Sequence, residues 1–380
     1  MKKIKFIMCG AFLLLLFAVS LGSVIAKDQE FSANENRFLA KLPALDWNDV
    51  VRGDFQEDLE SYLNDHILGR DTWISIKTRV QKLLGDTDIG GVYLGEDDYL
   101  FEKITDEDIS PSQIEKNISF VKGYFEYCSE YLDASKLEVM LVPTAGLVLE
   151  EKLPAYAPMF DQETYLNQIK DSLQDYNVVD VRDTLIASTE GQLYYRTDHH
   201  WTSRGAALAY EQWCLKTGRT FPGWDALKPQ MVTEEFRGSL YSKVLDPQSA
   251  YDEIWYYTMN GKDYDHLTVV GDDKELPGVF DYGKLEEKDK YLFFMGDNYG
   301  EAIITNSQVK EGENLLIIKD SFANCFTYLT TEEFHNVHMI DLRYFGGDLK
   351  EYLLENEITE VLVLYNISNF ATDKNLHKLR

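Results

Sequence analysis

Four short, mainly apolar runs constrain this chain more than any other feature. They are Leu137-Glu138-Val139-Met140-Leu141-Val142-Pro143, Leu315-Leu316-Ile317-Ile318, Val337-His338-Met339-Ile340-Asp341-Leu342 and Val361-Leu362-Val363-Leu364-Tyr365. Each is too short for a core helix, and none shows the regular polar alternation of a strand with one wet face. Strands that are apolar on both faces need cover on both, so the runs predict a parallel sheet between two layers of helices. The segments between them supply the helices. From Pro111 to about Leu132, Ile114, Ile118, Val121, Tyr124 and Phe125 share one face, and a helix near Glu163–Tyr176 leads into the strand Val178-Val179-Asp180-Val181. The expected fold class is α/β, and open sheets of this kind bind ligands beyond the carboxyl ends of their strands.

The start of the chain follows different rules. Lys2, Lys3 and Lys5 precede Phe6–Ala26, 21 residues without a charge. The small residues of Ser20-Leu21-Gly22-Ser23-Val24-Ile25-Ala26 suit a cleavage region, with release at Lys27. Uncleaved, the same stretch is long enough to span a bilayer. Residues 1–26 therefore read as a signal peptide or membrane anchor, and the rest of the chain as extracytoplasmic, secreted or anchored. Residues 27–110 read as an acidic helical entry region, with helices around Val50–Leu63 and Thr72–Leu84. Residues 111–380 form the α/β domain, interrupted at about 219–312 by a segment rich in Asp, Gly and aromatics. That segment reads as an insertion of turns and short antiparallel strands.

Composition removes several functional classes. With 65 acidic against 37 basic residues and a net charge of −28, the 380-residue chain is no candidate for a nucleic-acid partner. A hydrophobic share of 44% excludes disorder. Cys9, Cys128, Cys214 and Cys325 match neither a disulfide framework nor a zinc motif. No Gly-x-Gly-x-x-Gly follows a strand and no Gly-x-x-x-x-Gly-Lys-Ser/Thr loop occurs, so no cofactor is expected.

The strand ends carry the candidate chemistry. After Ile318 comes Lys319-Asp320-Ser321-Phe322, then a helical pattern of Phe322, Cys325, Phe326 and Leu329. A serine on a strand-to-helix turn is exposed and faces a helix N-terminus; the commoner use of Asp320 or Ser321 there is as a helix cap. The second feature is Thr197-Asp198-His199-His200-Trp201-Thr202, ahead of a helix from Ser203 to Lys216 capped by Thr202. The motif lies on the extended segment entering that helix, so Asp198 and His200 are expected to share a face and His199 to point away. A carboxylate beside an imidazole suits a general base; a metal site built on Asp198 and a histidine is the alternative, but no third ligand cluster accompanies it, and no metal is expected. At the remaining strand ends, Asp341-Leu342-Arg343-Tyr344-Phe345-Gly346-Gly347 offers a glycine turn and Tyr365-Asn366 an amide. Either can donate to an oxyanion, and either is also an ordinary loop.

Taken together, the serine turn, the Asp/His pair, the glycine turn and the strand-end asparagine resemble the SGNH hydrolase superfamily. Thr197-Asp198-His199-His200-Trp201-Thr202 resembles the bacterial family named for its Asp-His-His-Trp signature, itself similar to alginate O-acetyltransferases. Asn36-Arg37, Asp65-His66, Val142-Pro143-Thr144, Lys152-Leu153-Pro154 and Gly238-Ser239-Leu240-Tyr241-Ser242 extend the resemblance along the chain. It implies an SGNH-hydrolase-like sheet, with Ser321 as nucleophile, His200 as general base and Asp198 orienting it. It further implies Gly346 and Asn366 at the oxyanion, and Arg343 and Tyr344 as acyl or substrate contacts. Lys319 departs from the family's usual glycine before Asp-Ser, and His199 from its usual small residue. The implied activity is acyl-ester chemistry, as an O-acetyltransferase acting on a cell-surface or exported polysaccharide. The alternatives are an acetyl-glycan esterase and a non-catalytic glycan-binding or assembly protein; a metal-dependent hydrolase would be chelator-sensitive. The implied partners are the polysaccharide and a multipass membrane acyltransferase that supplies the acyl group.

The leader generates a first test. Tagged full-length protein is expected outside the cytoplasm, with its N-terminus at Lys27 or held in the membrane fraction. Full-length protein recovered from the soluble cytoplasm would contradict the reading.

Overall fold

A computed structural model describes residues 2–32 and 37–380. The chain divides into two compact units, Met1–Gly90 with Tyr241–Gln248, and Gly91–Leu240 with Ser249–Arg380. The first unit is helical. Its opening helix α1 (Lys2–Ile25) has exposed apolar side chains along its length and is long and apolar enough to cross a membrane. Three further helices follow, α2 (Trp47–Arg52), α3 (Asp54–Asp65) and α4 (Arg70–Leu84). The single helix expected around Val50–Leu63 is broken at Gly53, whose φ of 94° ends α2 and begins α3. The returning segment 241–248 is tied to α4 by Thr78 Oγ1, which donates to Val244 O at 2.6 Å, and by the Lys82–Asp246 ion pair at 2.5 Å.

The second unit is built on an eight-stranded sheet. In chain order its strands are β1 (Leu137–Val142), β2 (Asn177–Val179), β3 (Thr268–Gly271), β4 (Lys274–Glu275), β5 (Glu301–Thr305), β6 (Asn314–Lys319), β7 (Asn336–Ile340) and β8 (Glu360–Asn366). Their spatial order is β4-β3-β5-β7-β6-β8-β1-β2. The block from β7 to β2 is parallel, as the apolar runs predict. Alternate residues of each run enter opposite cores. Leu362, Leu364, Ile317 and Met140 pack on one face with helix α7 (Ser203–Thr217). Val361, Val363, Ile318 and Val139 pack on the other with α5 (Pro111–Cys128), α6 (Gln162–Ser172) and α8 (Leu349–Glu355).

Part of the segment expected as an insertion belongs to this sheet. Strands β3, β4 and β5 extend it antiparallel from β7. Burial in β3 and β5 alternates residue by residue, the pattern of strands with one open face. A long antiparallel ribbon, 227–236 against 252–259, makes up the rest of the regular β-structure there.

Register then assembles the site. Ile318 lies opposite both Ile340 and Val363, so the carboxyl ends of β6, β7 and β8 finish together. Residues 319–321, 341–347 and 366–369 leave one edge of the sheet. The helical pattern after Ser321 is realised as a 3₁₀ turn (Ser321–Ala323), a short α-turn (Asn324–Thr327) and a second 3₁₀ turn (Tyr328–Thr330). Phe322, Cys325, Phe326 and Leu329 are all buried, as their spacing requires.

Leu362 sits in the central strand β8 between β6 and β1, fully buried. Leu362→Ala is expected to lower unfolding free energy by about 2–5 kcal/mol, measured by urea titration of the full chain. A loss below about 1 kcal/mol would contradict this placement of the core.

Candidate functional site

The signature sequence forms a tight loop whose two ends are joined. Thr202 N–H donates to Leu193 O at 2.8 Å and Tyr195 N–H to His200 O at 3.2 Å, so residues 196–200 turn through a series of bends. The buried carboxylate of Asp252 pins this loop. It accepts from Arg196 N–H (2.9 Å), Thr197 N–H (2.8 Å) and Thr197 Oγ1 (2.7 Å). Beyond the loop, Thr202 caps α7, and the Trp201 indole N–H donates to Phe322 O at 2.9 Å. Trp201 thereby gives one physical link between the signature and the serine turn.

At that turn the two candidate caps separate. Asp320 does the capping: its Oδ1 accepts from Phe322 N–H at 2.9 Å, and its Oδ2 from Asn366 N–H and Asn369 Nδ2, both at 2.8 Å. Ser321 is left to face the loop. Its Oγ lies 2.7 Å from His200 Nε2, and His200 Nδ1 lies 2.6 Å from Asp198 Oδ1. Asp198, His200 and Ser321 thus form one hydrogen-bonded line, although 121 residues separate the last two. Among the described residues, the Ser321 N–H has no hydrogen-bond partner.

Asp198 is fastened from several sides. Oδ1 also accepts from the His200 N–H at 2.9 Å, and Oδ2 from the Ser239 N–H at 2.7 Å. Gly238 is required for that approach, since a Cβ there would come within 2.2 Å of Asp198 Oδ2. Burial drives the Asp198 carboxyl upward, but the two imidazoles and the donated hydrogen bonds outweigh it and hold it well below the carboxylate range. Burial, then the neighbouring His199 ring, push His200 down to about 4, against the attraction of Asp198. The imidazole is therefore neutral at neutral pH and free to accept a proton at Nε2.

His199 does not point away. The segment is bent, not extended, so strand alternation does not apply. The ring lies 3.9 Å from that of His200, and its Nδ1 is 2.7 Å from Ser239 Oγ. Asp198, His199 and His200 place potential metal ligands within 4.8 Å of one another. Both ring nitrogens of His200 and both Asp198 oxygens are already engaged in the bonds above, so a cation would have to break the line to Ser321. The donor set fits proton transfer better than a metal.

The other predicted residues share the sheet edge but do not join that line. Asn366 donates its Nδ2 to Val142 O (3.1 Å) and Pro143 O (3.4 Å), while Oδ1 accepts from Ser368. This ties β8 to the end of β1 and engages the amide through both its nitrogen and its oxygen. Arg343 forks onto Asp341 at 2.9 and 2.6 Å, with its guanidinium over the exposed Tyr344 ring. Gly346 lies on the same loop. Lys319 is buried, donating to Asn324 Oδ1 at 2.9 Å, with Asp341 Oδ2 at 3.7 Å. Asn36 lies outside the described residues.

Sequence reasoning missed Tyr291. It stacks on the His200 ring at 3.8 Å and 9°, and its hydroxyl donates to Ser321 O at 3.0 Å. It lies far from every motif, on a 3₁₀ turn (Lys290–Phe293) of the 219–312 segment. Only its neighbours Tyr282, Phe293 and Phe294 mark that stretch as a core. Asp252 was equally silent, being one acidic residue among 65 Asp and Glu.

Residues 172–340 match the DHHW protein family, and residues 92–245 match the SGNH hydrolase-like domain of the acetyltransferase AlgX. This is a DHHW-like, SGNH-hydrolase-like chain. Both matched stretches contain Asp198–Trp201, and the first also contains Ser321. A curated relative, the probable alginate O-acetylase AlgJ of Pseudomonas putida, is 29% identical over 128 residues. That match takes in 31% of this chain and 32% of the relative, so the chain spans about a third of the curated relative's length. Two solved structures share the fold. A DHHW family protein from Eubacterium siraeum has a TM-score of 0.63 and 22% identity, over 76% of this chain and 95% of that one. Bacillus cereus PatB1 with a sulfonyl adduct has a TM-score of 0.63 and 19% identity, over 76% and 99%.

The electrostatics are directly measurable. The His200 ring is expected to titrate near pH 4, by NMR of labelled histidine in the folded chain. Because its folded value lies below the unfolded one (about 6.5), its contribution to stability is present above that value and lost as pH falls toward 4. Tyr291→Leu, which opens the stacked face to water, moves the titration upward. A wild-type value near 6.5 would contradict the burial described.

Proposed function

We propose that this chain is an extracytoplasmic O-acetyltransferase acting on a cell-surface or exported polysaccharide, with Ser321 as nucleophile, His200 as general base and Asp198 orienting it. The observation that carries this reading is the continuous line from Asp198 through His200 to the Ser321 Oγ. Asp198 holds the His200 Nδ1–H tautomer, which leaves Nε2 as the acceptor for the Ser321 hydroxyl proton. Ser321 Oγ attacks the acyl carbonyl, and the proton moves to His200, whose imidazolium Asp198 stabilises. The free Ser321 N–H is the donor this geometry offers the oxyanion. The donor's leaving group takes the proton from His200, and an acyl-Ser321 ester remains. A glycan hydroxyl then attacks the ester, giving its proton to His200 as Ser321 Oγ departs and takes that proton back. Arg343, Tyr344 and Gly346, on the loop after β7, we assign to acyl or glycan contact.

The similarity to AlgX and AlgJ supports transfer to a polysaccharide, and the apolar α1 helix supports placement outside the cytoplasm. An exported domain has no access to cytoplasmic acyl-CoA, so the acyl group arrives through the membrane, from a multipass membrane acyltransferase. Hydrolysis of acetylated glycan is the competing reaction of the same site, with water in place of the sugar.

Incubation with p-nitrophenyl acetate is expected to release p-nitrophenol and to leave an acetyl group on Ser321, read as about 42 Da on its peptide. Ser321→Ala and His200→Ala each lower turnover by about 10³-fold or more, and the double variant loses little beyond either single one. Additive losses, or turnover that survives Ser321→Ala, would exclude the serine mechanism.

A further inference from the structure

Asp198 serves two imidazoles, and each meets a serine. His200 joins Asp198 to Ser321, as above. His199 Nδ1 lies 3.7 Å from Asp198 Oδ1 and 2.7 Å from Ser239 Oγ, while the Ser239 N–H donates to Asp198 Oδ2. The two pairs differ in exposure. The His200 side chain is 7% exposed and that of His199 31%. His199 also lines a small pocket with Phe101, Thr144, Gly146, Leu240 and Phe322. Phe322 directly follows Ser321, and its ring lies 6.0 Å from that of His199.

We infer that His199, held by Ser239, binds the acceptor hydroxyl and so decides whether acyl-Ser321 passes its group to a sugar or to water. The inference rests on the serine mechanism proposed above and deepens it. With Nδ1 fixed by Ser239, only the His199 Nε2 edge remains for a ligand. A hydroxyl both donates and accepts, so it pairs with that edge in either tautomer. The ring is 3.9 Å from His200, close enough to hold a diol with one oxygen on His199 and its neighbour facing His200 Nε2. In the transfer step the second oxygen forms its bond to the acyl carbon, and its proton passes to His200 Nε2. The Ser321 Oγ–acyl bond then breaks, and Oγ recovers the proton. Water needs no such second contact, so loss of His199 falls more heavily on transfer than on hydrolysis.

The experiment uses the full chain, p-nitrophenyl acetate as acyl donor and 1 M glycerol as a diol acceptor. Total p-nitrophenol release is compared with glyceryl acetate formed and acetate released. Native protein is expected to form glyceryl acetate, and His199→Ala to lower the transfer-to-hydrolysis ratio about tenfold, the loss expected for one hydrogen bond. Ser239→Ala, which frees the ring without removing it, lowers the ratio in the same direction but less. His199→Gln, which keeps a polar amide in the pocket, restores part of it. An unchanged ratio in His199→Ala, or no glyceryl acetate from native protein that releases p-nitrophenol, overturns the inference and leaves the serine mechanism standing. Absence of p-nitrophenol release before glycerol is added is instead a failure of the serine mechanism, and the inference falls with it.

Discussion

The buried carboxylate of Asp320 is the contact on which the site's geometry depends. It takes one N–H from the turn after β6, one from the end of β8, and an amide from Asn369. A carboxylate this buried is stable only with its lone pairs matched, and burial still pushes its pKa upward. Each of those bonds also fixes backbone. Two parallel strands are locked at the same height, and the chain is turned so that Ser321 projects from the sheet edge. The cap and the nucleophile candidate are adjacent residues with separate tasks, and the first sets the direction of the second.

Two more buried carboxylates extend the principle. Asp252 gathers the backbone of Arg196 and Thr197, and Asp198 gathers His200 and Ser239. Together they make a polar framework inside an apolar shell of Tyr195, Tyr291 and Phe322. Such a network is costly when half satisfied and rigid when complete, which is what holding three side chains in one hydrogen-bonded line requires. The acidity of the chain as a whole has no part in this. The carboxylates that matter are buried, and their bonds were not visible in a net charge.

The aromatic segment 219–312 gains a meaning from the same geometry. It extends the sheet through β3, β4 and β5, and it brings Tyr291 flat against His200. One side chain thus excludes water from the imidazole and holds the Ser321 carbonyl.

The sequence by itself determined the parallel part of the sheet, because runs such as Val361–Tyr365 leave no soluble alternative to burial on both faces. It also brought Asp198, His200 and Ser321 together, through the resemblance of their combined pattern to SGNH hydrolases; by itself a serine at a strand end is more commonly a helix cap. Tertiary structure decided what local pattern cannot carry. Whether residues 196–200 are extended or bent depends on Asp252, some fifty residues away, and that bend turned His199 toward Ser239. The direction of the Asn366 amide depends on carbonyls at the end of β1, more than two hundred residues earlier. Tyr291 owes its place to chain packing alone. Periodicity reports which side of an element is buried; it does not report which distant hydrogen-bond partner the buried side will meet.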